Sequence, residues 1–164
     1  MIILGIDPGL ANVGFGVVNS EGGQCRLIEY GAIVSNAKLP KVERLFRIHK
    51  DVIDIIERYK PDAVVTEQLL FSVNKKSAME VSQAIGVILL AVAQSNIAWQ
   101  EYSPMKVKMA LVGYGGAEKQ QVQFMVQKIL GLKEPPKPDH ASDALAVSIC
   151  HAHSVRLGSL GIRT

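Results

Sequence analysis

The sequence predicts an α/β fold, a five-stranded mixed sheet flanked by helices. The chain opens with three consecutive strand-like segments, continues with alternating helical and strand-like segments, and ends in helical segments alone. A strand meander followed by alternating helices and strands is typical of a mixed sheet covered by helices. The 164 residues suffice for one domain with a sizeable core.

The first three segments are predicted to form an antiparallel meander. Residues 2–7 are a continuous apolar run ending in an acid, the pattern of a strand buried on both faces. An Asp-Pro-Gly turn follows, and because proline disfavours helical backbone in the residue before it, Asp7 should be the last strand residue. Residues 13–19 and 25–35 are predicted as the second and third strands, joined by a hairpin turn at residues 21–23.

Helices and short strands alternate in the middle of the chain. Residues 41–59 show an amphipathic helical pattern. The predicted stripe of that helix comprises Val42, Leu45, His49, Val52, Ile53 and Ile56, with a structural role for His49. Residues 63–67 are a short apolar strand ending in Glu67. Residues 76–95 look helical and are apolar nearly all round, which favours burial or an interface, and here a homodimer interface.

The last part of the chain is predicted to be mostly helical. Residues 97–102 form a further short strand, and Pro104 opens a helix over 105–112. A second helix covers 117–130 and ends at Gly131. The final helix runs from His140 to Arg156, with Asp139 as its N-cap.

Composition restricts the class of protein. The longest apolar run, residues 85–93, is far shorter than the roughly 20 residues of a membrane span, and no secretory signal precedes residue 2, so we expect a cytoplasmic protein without membrane contact. Cys25 and Cys150 fit no metal-ligand spacing and should be reduced. The net charge of +3 lies in residues 101–164, which suits a phosphate-binding surface and equally an ordinary solvated one.

Three acids and a histidine are the candidate functional residues. If the strands ending in Asp7 and Glu67 are parallel neighbours, both carboxylates lie at the edge of the sheet where α/β folds place ligands. His140 and Asp143 are three residues apart and share a helix face. Clustered carboxylates repel unless a cation neutralises them, and oxygen-rich clusters suit Mg²⁺ or Mn²⁺. Two such ions about 4 Å apart can hydrolyse a phosphodiester.

Each candidate residue also has a purely structural interpretation. Asp-Pro-Gly is a common turn, and Glu67 could simply begin a loop. Asp143 could favour the positive end of the helix dipole, and His140 could be a surface residue of the first turn. The functional interpretation therefore depends on the four residues coming together.

Four segments of the chain resemble the RuvC family of crossover-junction endodeoxyribonucleases, which have an RNase H-like fold. They are, in order, GIDPGLANVGFGVV (5–18), EQLLFSVNKKSAMEVSQAIGV (67–87), YSPMKVKMALVGYGGAEKQQV (102–122) and PDHASDALAVSICHAH (138–153). The resemblance implies one nuclease domain over 1–157 and a flexible tail over 158–164. It also implies a homodimer that resolves four-way (Holliday) junctions in DNA recombination and repair, with RuvA and RuvB as partners.

The resemblance also implies roles for particular residues. The catalytic metal ligands would be Asp7, Glu67, His140 and Asp143, which would hold two Mg²⁺ ions, with Mn²⁺ as a substitute. The third ligand is Asp in some members and His in others, so Asp139 is the neighbouring alternative to His140. DNA contacts are implied for Phe71, Lys75, Lys76, Lys108 and Lys119, with residues 69–76 as a loop over the junction centre where an aromatic stacks on a base.

Three departures from the family pattern concern DNA binding. Leu70 stands where the family often has an aromatic, which makes the following Phe71 the candidate stacking residue. Ile85 and Gly116 stand where the family usually has arginine. Two missing cations should weaken phosphate contacts and flatten the salt dependence of binding, with Lys75 and Lys76 compensating in part.

Two other classes of function remain alternatives. One is a junction-binding module without catalysis, which the lost arginines favour and the intact acids oppose. The other is a phosphotransferase related to the sugar kinases and actin-like ATPases, which share this broad fold and an acidic strand end. The sequence shows no second nucleotide-binding half, which argues against the phosphotransferase.

Overall fold

The computed structural model of the chain describes residues 1–68 and 75–159. Within those ranges it contains five strands and five helices, in the predicted order. The strands are β1 (Ile2–Asp7), β2 (Asn12–Glu21), β3 (Gln24–Val34), β4 (Ala63–Glu67) and β5 (Ala98–Tyr102). The helices are α1 (Lys41–Tyr59), α2 (Lys75–Gln94), α3 (Pro104–Val112), α4 (Lys119–Ile129) and α5 (Asp139–Ser159).

The five strands form one mixed sheet in the order β3-β2-β1-β4-β5. The first three strands pair antiparallel, as the predicted meander requires, and β4 pairs parallel to both β1 and β5. The Asp62 carboxylate accepts a hydrogen bond of 2.7 Å from the backbone N–H of Ile2, which fixes the start of β4 beside the start of β1. The condition on which the meeting of Asp7 and Glu67 depended, that β1 and β4 are parallel neighbours, is therefore met.

Helices cover both faces of the sheet. Because side chains alternate along a strand, Leu4 and Ile6 of β1 pack into a core with α1 and α2, while Ile3 packs into a second core with α3, α4 and α5. The odd-numbered residues of β1 therefore face α5. Asp7 is one of these residues, so its carboxylate lies on the α5 side of the sheet.

Glycines allow α5 to lie directly on the strands. Gly5 and Gly16 are register partners on β1 and β2. A Cβ at Gly5 would overlap the Ala144 carbonyl of α5, and a Cβ at Gly16 would overlap the Leu145 side chain. The Ser148 hydroxyl donates a 3.1 Å hydrogen bond to the carbonyl of Gly16. Helix and sheet thus meet at nearly backbone-to-backbone distance.

The predicted stripe of α1 was partly wrong. Ile48, Val52 and Ile56 are the buried residues of this helix, whereas Val42 is 78% exposed. The other predicted apolar members of the stripe pack in the same core, so the prediction fails at Val42 and omits Ile48. His49 has the predicted structural role, since its Nε2 lies 2.8 Å from Oε1 of Gln94 and links α1 to α2.

The starts of α4 and α5 differ from prediction in how they are capped, and α2 and α3 each begin one residue earlier than predicted. α4 begins at Lys119 rather than at residue 117, because the side chain of Gln121 accepts a hydrogen bond from the Glu118 N–H at 2.8 Å and caps the helix there. Asp139 is the first residue of α5 rather than its N-cap. α5 continues to Ser159, and the rest of the predicted tail, 160–164, lies outside the described residues.

Two predictions from composition can be compared with the structure. None of the helices in the described part of the chain has the length and apolar character to cross a membrane. Both Cys25 and Cys150 are free and buried, as predicted.

Candidate active site

The candidate site begins with two carboxylates at adjacent strand ends. Asp7 is the last residue of β1, Glu67 is the last residue of β4, and Ile6 pairs with Thr66 in the parallel register. The Asp7 side chain is only 18% exposed. The structure therefore brings these two predicted residues together, at the carboxyl ends of parallel strands.

Helix α5 places the imidazole of His140 against the carboxylate of Asp7. Gly14 is the register partner of Asp7 on β2, and a Cβ on Gly14 would overlap the His140 carbonyl. With the helix backbone resting on Gly14, the imidazole reaches the carboxylate, and His140 Nδ1 lies 2.7 Å from Asp7 Oδ2. Of the two alternatives, His140 and Asp139, it is His140 that contacts Asp7.

A lysine joins the acids of α5. Lys119, the first residue of α4, places its Nζ 2.9 Å from Oδ2 of Asp143 and 3.4 Å from Oδ2 of Asp139. Asp139 also accepts a 3.2 Å hydrogen bond from Gln123. Lys119 and Gln123 thus engage Asp139 at the surface, which explains why it neither caps α5 nor contacts Asp7.

A small cleft connects these groups. Glu67, Asp143, Lys108 and Lys119 line a cavity of about 210 Å³ between α3, α4 and α5. Its remaining walls are apolar: Pro104, Val107, Val122 and Ala146. Two of the four lysines singled out in the sequence, Lys108 and Lys119, therefore face the same cleft as two of the four candidate ligands.

The acids destabilise one another's charged forms. Burial, followed by repulsion from Asp7 and Asp143, raises the pKa of Glu67 to about 7. Burial also raises the pKa of Asp7, an effect that the hydrogen bond from His140 opposes and Asp143 reinforces. The site is thus short of positive charge, although Lys108 and Lys119 partly offset the deficit at Glu67.

The residues present fit a hard divalent cation in their chemistry. Among the described residues, no three His, Cys, Asp or Glu side chains converge closely enough to hold an ion as they stand. The donor set nevertheless matches Mg²⁺ or Mn²⁺, which prefer carboxylate oxygens and accept imidazole. Two of these donor groups already lie side by side, since His140 Nδ1 is 2.7 Å from Asp7 Oδ2. A cation would also relieve the repulsion that raises the pKa of Glu67.

Other candidate residues lie where the structure gives less information. Phe71 and Leu70 lie outside the described residues, and only the backbone of Lys75 and Lys76 is described, at the start of α2. Their predicted DNA contacts remain predictions. Gly116 is described, and the ring of Tyr114 folds over it, so that a Cβ at Gly116 would overlap that ring.

Sequence reasoning missed the glycines that position the site. Gly14 and Gly16 are two residues apart and share a strand face, as do Gly5 and Asp7. That spacing was visible in the sequence, but only the packing of α5 shows that a helix occupies the space the missing side chains leave.

Comparison with known proteins identifies the family. The family model described as crossover junction endodeoxyribonuclease RuvC matches residues 3–151. The chain belongs to the RuvC family. A RuvC from Syntrophomonas wolfei is 51% identical over 159 residues, which cover 97% of this chain and 92% of that protein.

Solved RuvC structures confirm the fold. RuvC from Thermus thermophilus superposes with a TM-score of 0.90 at 40% identity, covering 96% of this chain and 97% of that one. T. thermophilus RuvC in complex with a Holliday junction substrate gives a TM-score of 0.89 at 38% identity, covering 97% and 98%. The RNase H-like fold predicted from the sequence is therefore the fold of this RuvC-family chain, and its enzyme class is that of the family, an endodeoxyribonuclease.

Proposed function

We propose that this chain resolves four-way DNA junctions by metal-dependent hydrolysis of two opposed strands, with Asp7, Glu67, His140 and Asp143 as the metal ligands. Membership of the RuvC family supports the reaction and the substrate. One observation carries the assignment of residues: two carboxylates end adjacent parallel strands, and the His140 ring lies 2.7 Å from one of them.

The chemistry follows from what the cleft presents. We propose that the site holds a pair of Mg²⁺ ions, for which Mn²⁺ substitutes. Such ions would activate water and stabilise charge on the scissile phosphate. Asp7 and Glu67 would hold the ions from the sheet, and His140 and Asp143 from α5.

The lysines would bind the substrate. The ammonium groups of Lys108 and Lys119 face the cleft beside Glu67 and Asp143, where they can neutralise a DNA phosphate and the charge that develops during cleavage. Lys119 already bridges two carboxylates of α5. When phosphate and metal enter, Lys119 would exchange its contact with Asp143 for a phosphate oxygen.

A homodimer would supply the two sites that paired nicking requires. The face of α2 away from the sheet carries Met79, Gly86 and Leu90, of which Met79 is 65% and Leu90 52% exposed. A Cβ at Gly86 would meet no atom of the described residues within 4 Å, so these residues leave the helix surface open there. Phe46 of the neighbouring α1 is 65% exposed. An apolar helix face of this kind suits a second copy of the chain.

The family relationship extends the proposal to partners and location. We propose that the enzyme acts in the cytoplasm on recombination intermediates in which RuvA and RuvB carry out branch migration. Phe71 is proposed to stack on a base at the junction centre, with Lys75 and Lys76 binding nearby phosphates.

The decisive experiment is cleavage of a synthetic four-way junction in Mg²⁺. Wild type should nick two opposed strands symmetrically, and Asp7→Asn should lose at least about a hundredfold in rate. Asp54→Asn, which alters an exposed carboxylate paired with Lys50 on α1, is the matched control and should keep full activity.

Two outcomes would reject the proposal. Full cleavage by Asp7→Asn would show that the strand-end acids do not hold the catalytic metal. Tight junction binding by wild type without metal-dependent cleavage would select the binding-module alternative.

A further inference from the structure

A second, larger cavity lies between α3 and α5. This groove has a volume of about 890 Å³ and shares no residue with the candidate metal site. Its apolar surface includes Met105, Met109 and Leu157, and its charged groups are Lys106 and Arg156. We refer to it by these five residues as the α3–α5 groove.

The apolar part of the groove is open to solvent. Met105 is 67% and Met109 51% exposed, and the two lie one turn apart on the same side of α3. Large apolar side chains so placed contribute little to the core and are accessible to a partner. Methionines, being flexible and polarisable, adapt to the side chains of a partner.

The charges of the groove have one sign. Lys106 places its Nζ 5.2 Å from the centre of the Tyr102 ring, which holds the ammonium at the groove edge. Arg156 packs so closely on Gly23, in the β2–β3 turn, that a Cβ at Gly23 would overlap its side chain. Of the described residues that line the groove, none is acidic. A matching surface is therefore both apolar and negatively charged.

The location leaves the groove accessible while the enzyme works. It lies in the layer of α3, α4 and α5, on the opposite face of the sheet from α2, so a dimer formed through α2 would not cover it. On α3 itself, Lys108 lines the catalytic cleft whereas Lys106 and Met109 line the groove. An occupant of the groove would lie beside the cleft without filling it.

We propose that the α3–α5 groove docks an acidic amphipathic peptide segment of a partner protein. Apolar side chains of the segment pack on Met105, Met109 and Leu157, and its carboxylates pair with Lys106 and Arg156. A peptide fits better than nucleic acid, because the floor is concave and apolar and its two cations cannot follow a phosphate backbone. Binding of an amphipathic helix in an apolar groove is an established mode of peptide recognition.

The test is direct binding to the full-length chain by fluorescence anisotropy. The probe is a fluorescein-labelled peptide of about 16 residues, since shorter helices are marginal, with leucine along one helical face and glutamate along the other. A scrambled peptide of the same composition is the negative control. The amphipathic peptide should bind, and Arg156→Glu and Met109→Ala should each raise its Kd about tenfold.

A matched pair of surface residues controls for general effects. Phe124 is 53% exposed on α4 with Lys128 over its ring, which gives an apolar–cationic pair outside the groove. Phe124→Ala and Lys128→Glu should leave the Kd unchanged, and all four variants should keep the thermal midpoint and the junction-cleavage rate of wild type.

The proposal fails on any of three results. The scrambled peptide could bind as tightly as the amphipathic one, or Arg156→Glu could leave the Kd unchanged. Alternatively, junction DNA could displace the peptide from wild type in competition, which would make the groove part of the DNA surface. None of these results depends on the identity of the catalytic metal ligands.

Discussion

Substitution of Glu67 by glutamine should stabilise the metal-free protein at alkaline pH. Burial and the neighbouring Asp7 and Asp143 raise the pKa of Glu67 from its ordinary 4.5 to about 7. Between these values the folded chain binds more protons than the unfolded chain. The free energy of unfolding therefore falls as the pH rises through this window, and the full stability is present only below pH 4.5.

The magnitude follows from the size of that change. A pKa raised from 4.5 to about 7 corresponds to about 3 kcal/mol of lost stability at pH 8, taken as an upper value. Glutamine has nearly the shape of glutamate without its charge. Glu67→Gln should therefore exceed wild type by about 2–3 kcal/mol at pH 8 and by almost nothing at pH 4.5.

Urea unfolding in EDTA, followed by tryptophan fluorescence, measures this difference. Trp99 is the sole tryptophan, and its indole N–H donates a 3.2 Å hydrogen bond to Thr66, the residue before Glu67. Glu57→Gln, at an exposed position of α1, is the control and should change little at either pH. Saturating Mg²⁺ should reduce the advantage of Glu67→Gln, since only wild type keeps every ligand. Equal stability of the two proteins at pH 8, or the same difference at both pH values, would refute the reasoning.

Three further predictions follow from the packing and charges of the site. Gly14→Ala should lower the free energy of unfolding by about 1–3 kcal/mol, because the new methyl overlaps a carbonyl of α5, and junction cleavage should fall with it. Gly158→Ala is the control. No atom of the described residues lies within 4 Å of a Cβ at Gly158, so both the stability in the same urea titration and the cleavage rate should stay at the wild-type values. Lys119→Met should slow single-turnover junction cleavage about a hundredfold. Its free energy of unfolding should change by less than about 1 kcal/mol, because the ion pairs of Lys119 are partly exposed. A cleavage rate equal to that of a Lys50→Met control would contradict the role of Lys119 in the cleft. Burial raises the pKa of the Cys150 thiol to about 11, so Cys150 should react with a disulfide reagent at pH 8 only after the protein unfolds. Mass spectrometry counts the labelled thiols. Rapid labelling of the native protein would show that the contact between α3 and α5 opens.

The strand-end acids were predictable because their signal is local. An apolar run that ends in an acid and a proline fixes where β1 stops, and the same pattern without the proline ends β4. The parallel pairing of these strands was a condition of the prediction, and the register of β1 with β4 meets it. The strand-end positions of Asp7 and Glu67 were therefore predictable from the sequence, whereas their proximity depended on how the two strands pair.

Features that depend on contacts between distant segments were harder to predict. Val42 fits the apolar periodicity of α1 as well as Ile48 does, and only the tertiary packing of the helix leaves Val42 exposed and Ile48 buried. Asp139 is a favourable N-cap residue by type, but Lys119 and Gln123 of α4 engage its carboxylate instead. In each case a partner more than ten residues away competes with the local preference.

The glycine contact between α5 and the sheet has a consequence for how the site tolerates change. Where two backbones touch directly, no rotamer adjustment can take up an error in spacing, so the backbone separation of Asp7 and His140 is set by the register of the helix on the sheet. Substitutions on the solvent side of α5 should leave that separation intact, whatever their size. A single-residue insertion in the first turns of α5 would instead rotate the following residues by about 100° and turn Asp143 away from the cleft. Variation among functional relatives should therefore be rich in substitutions on this helix and poor in insertions.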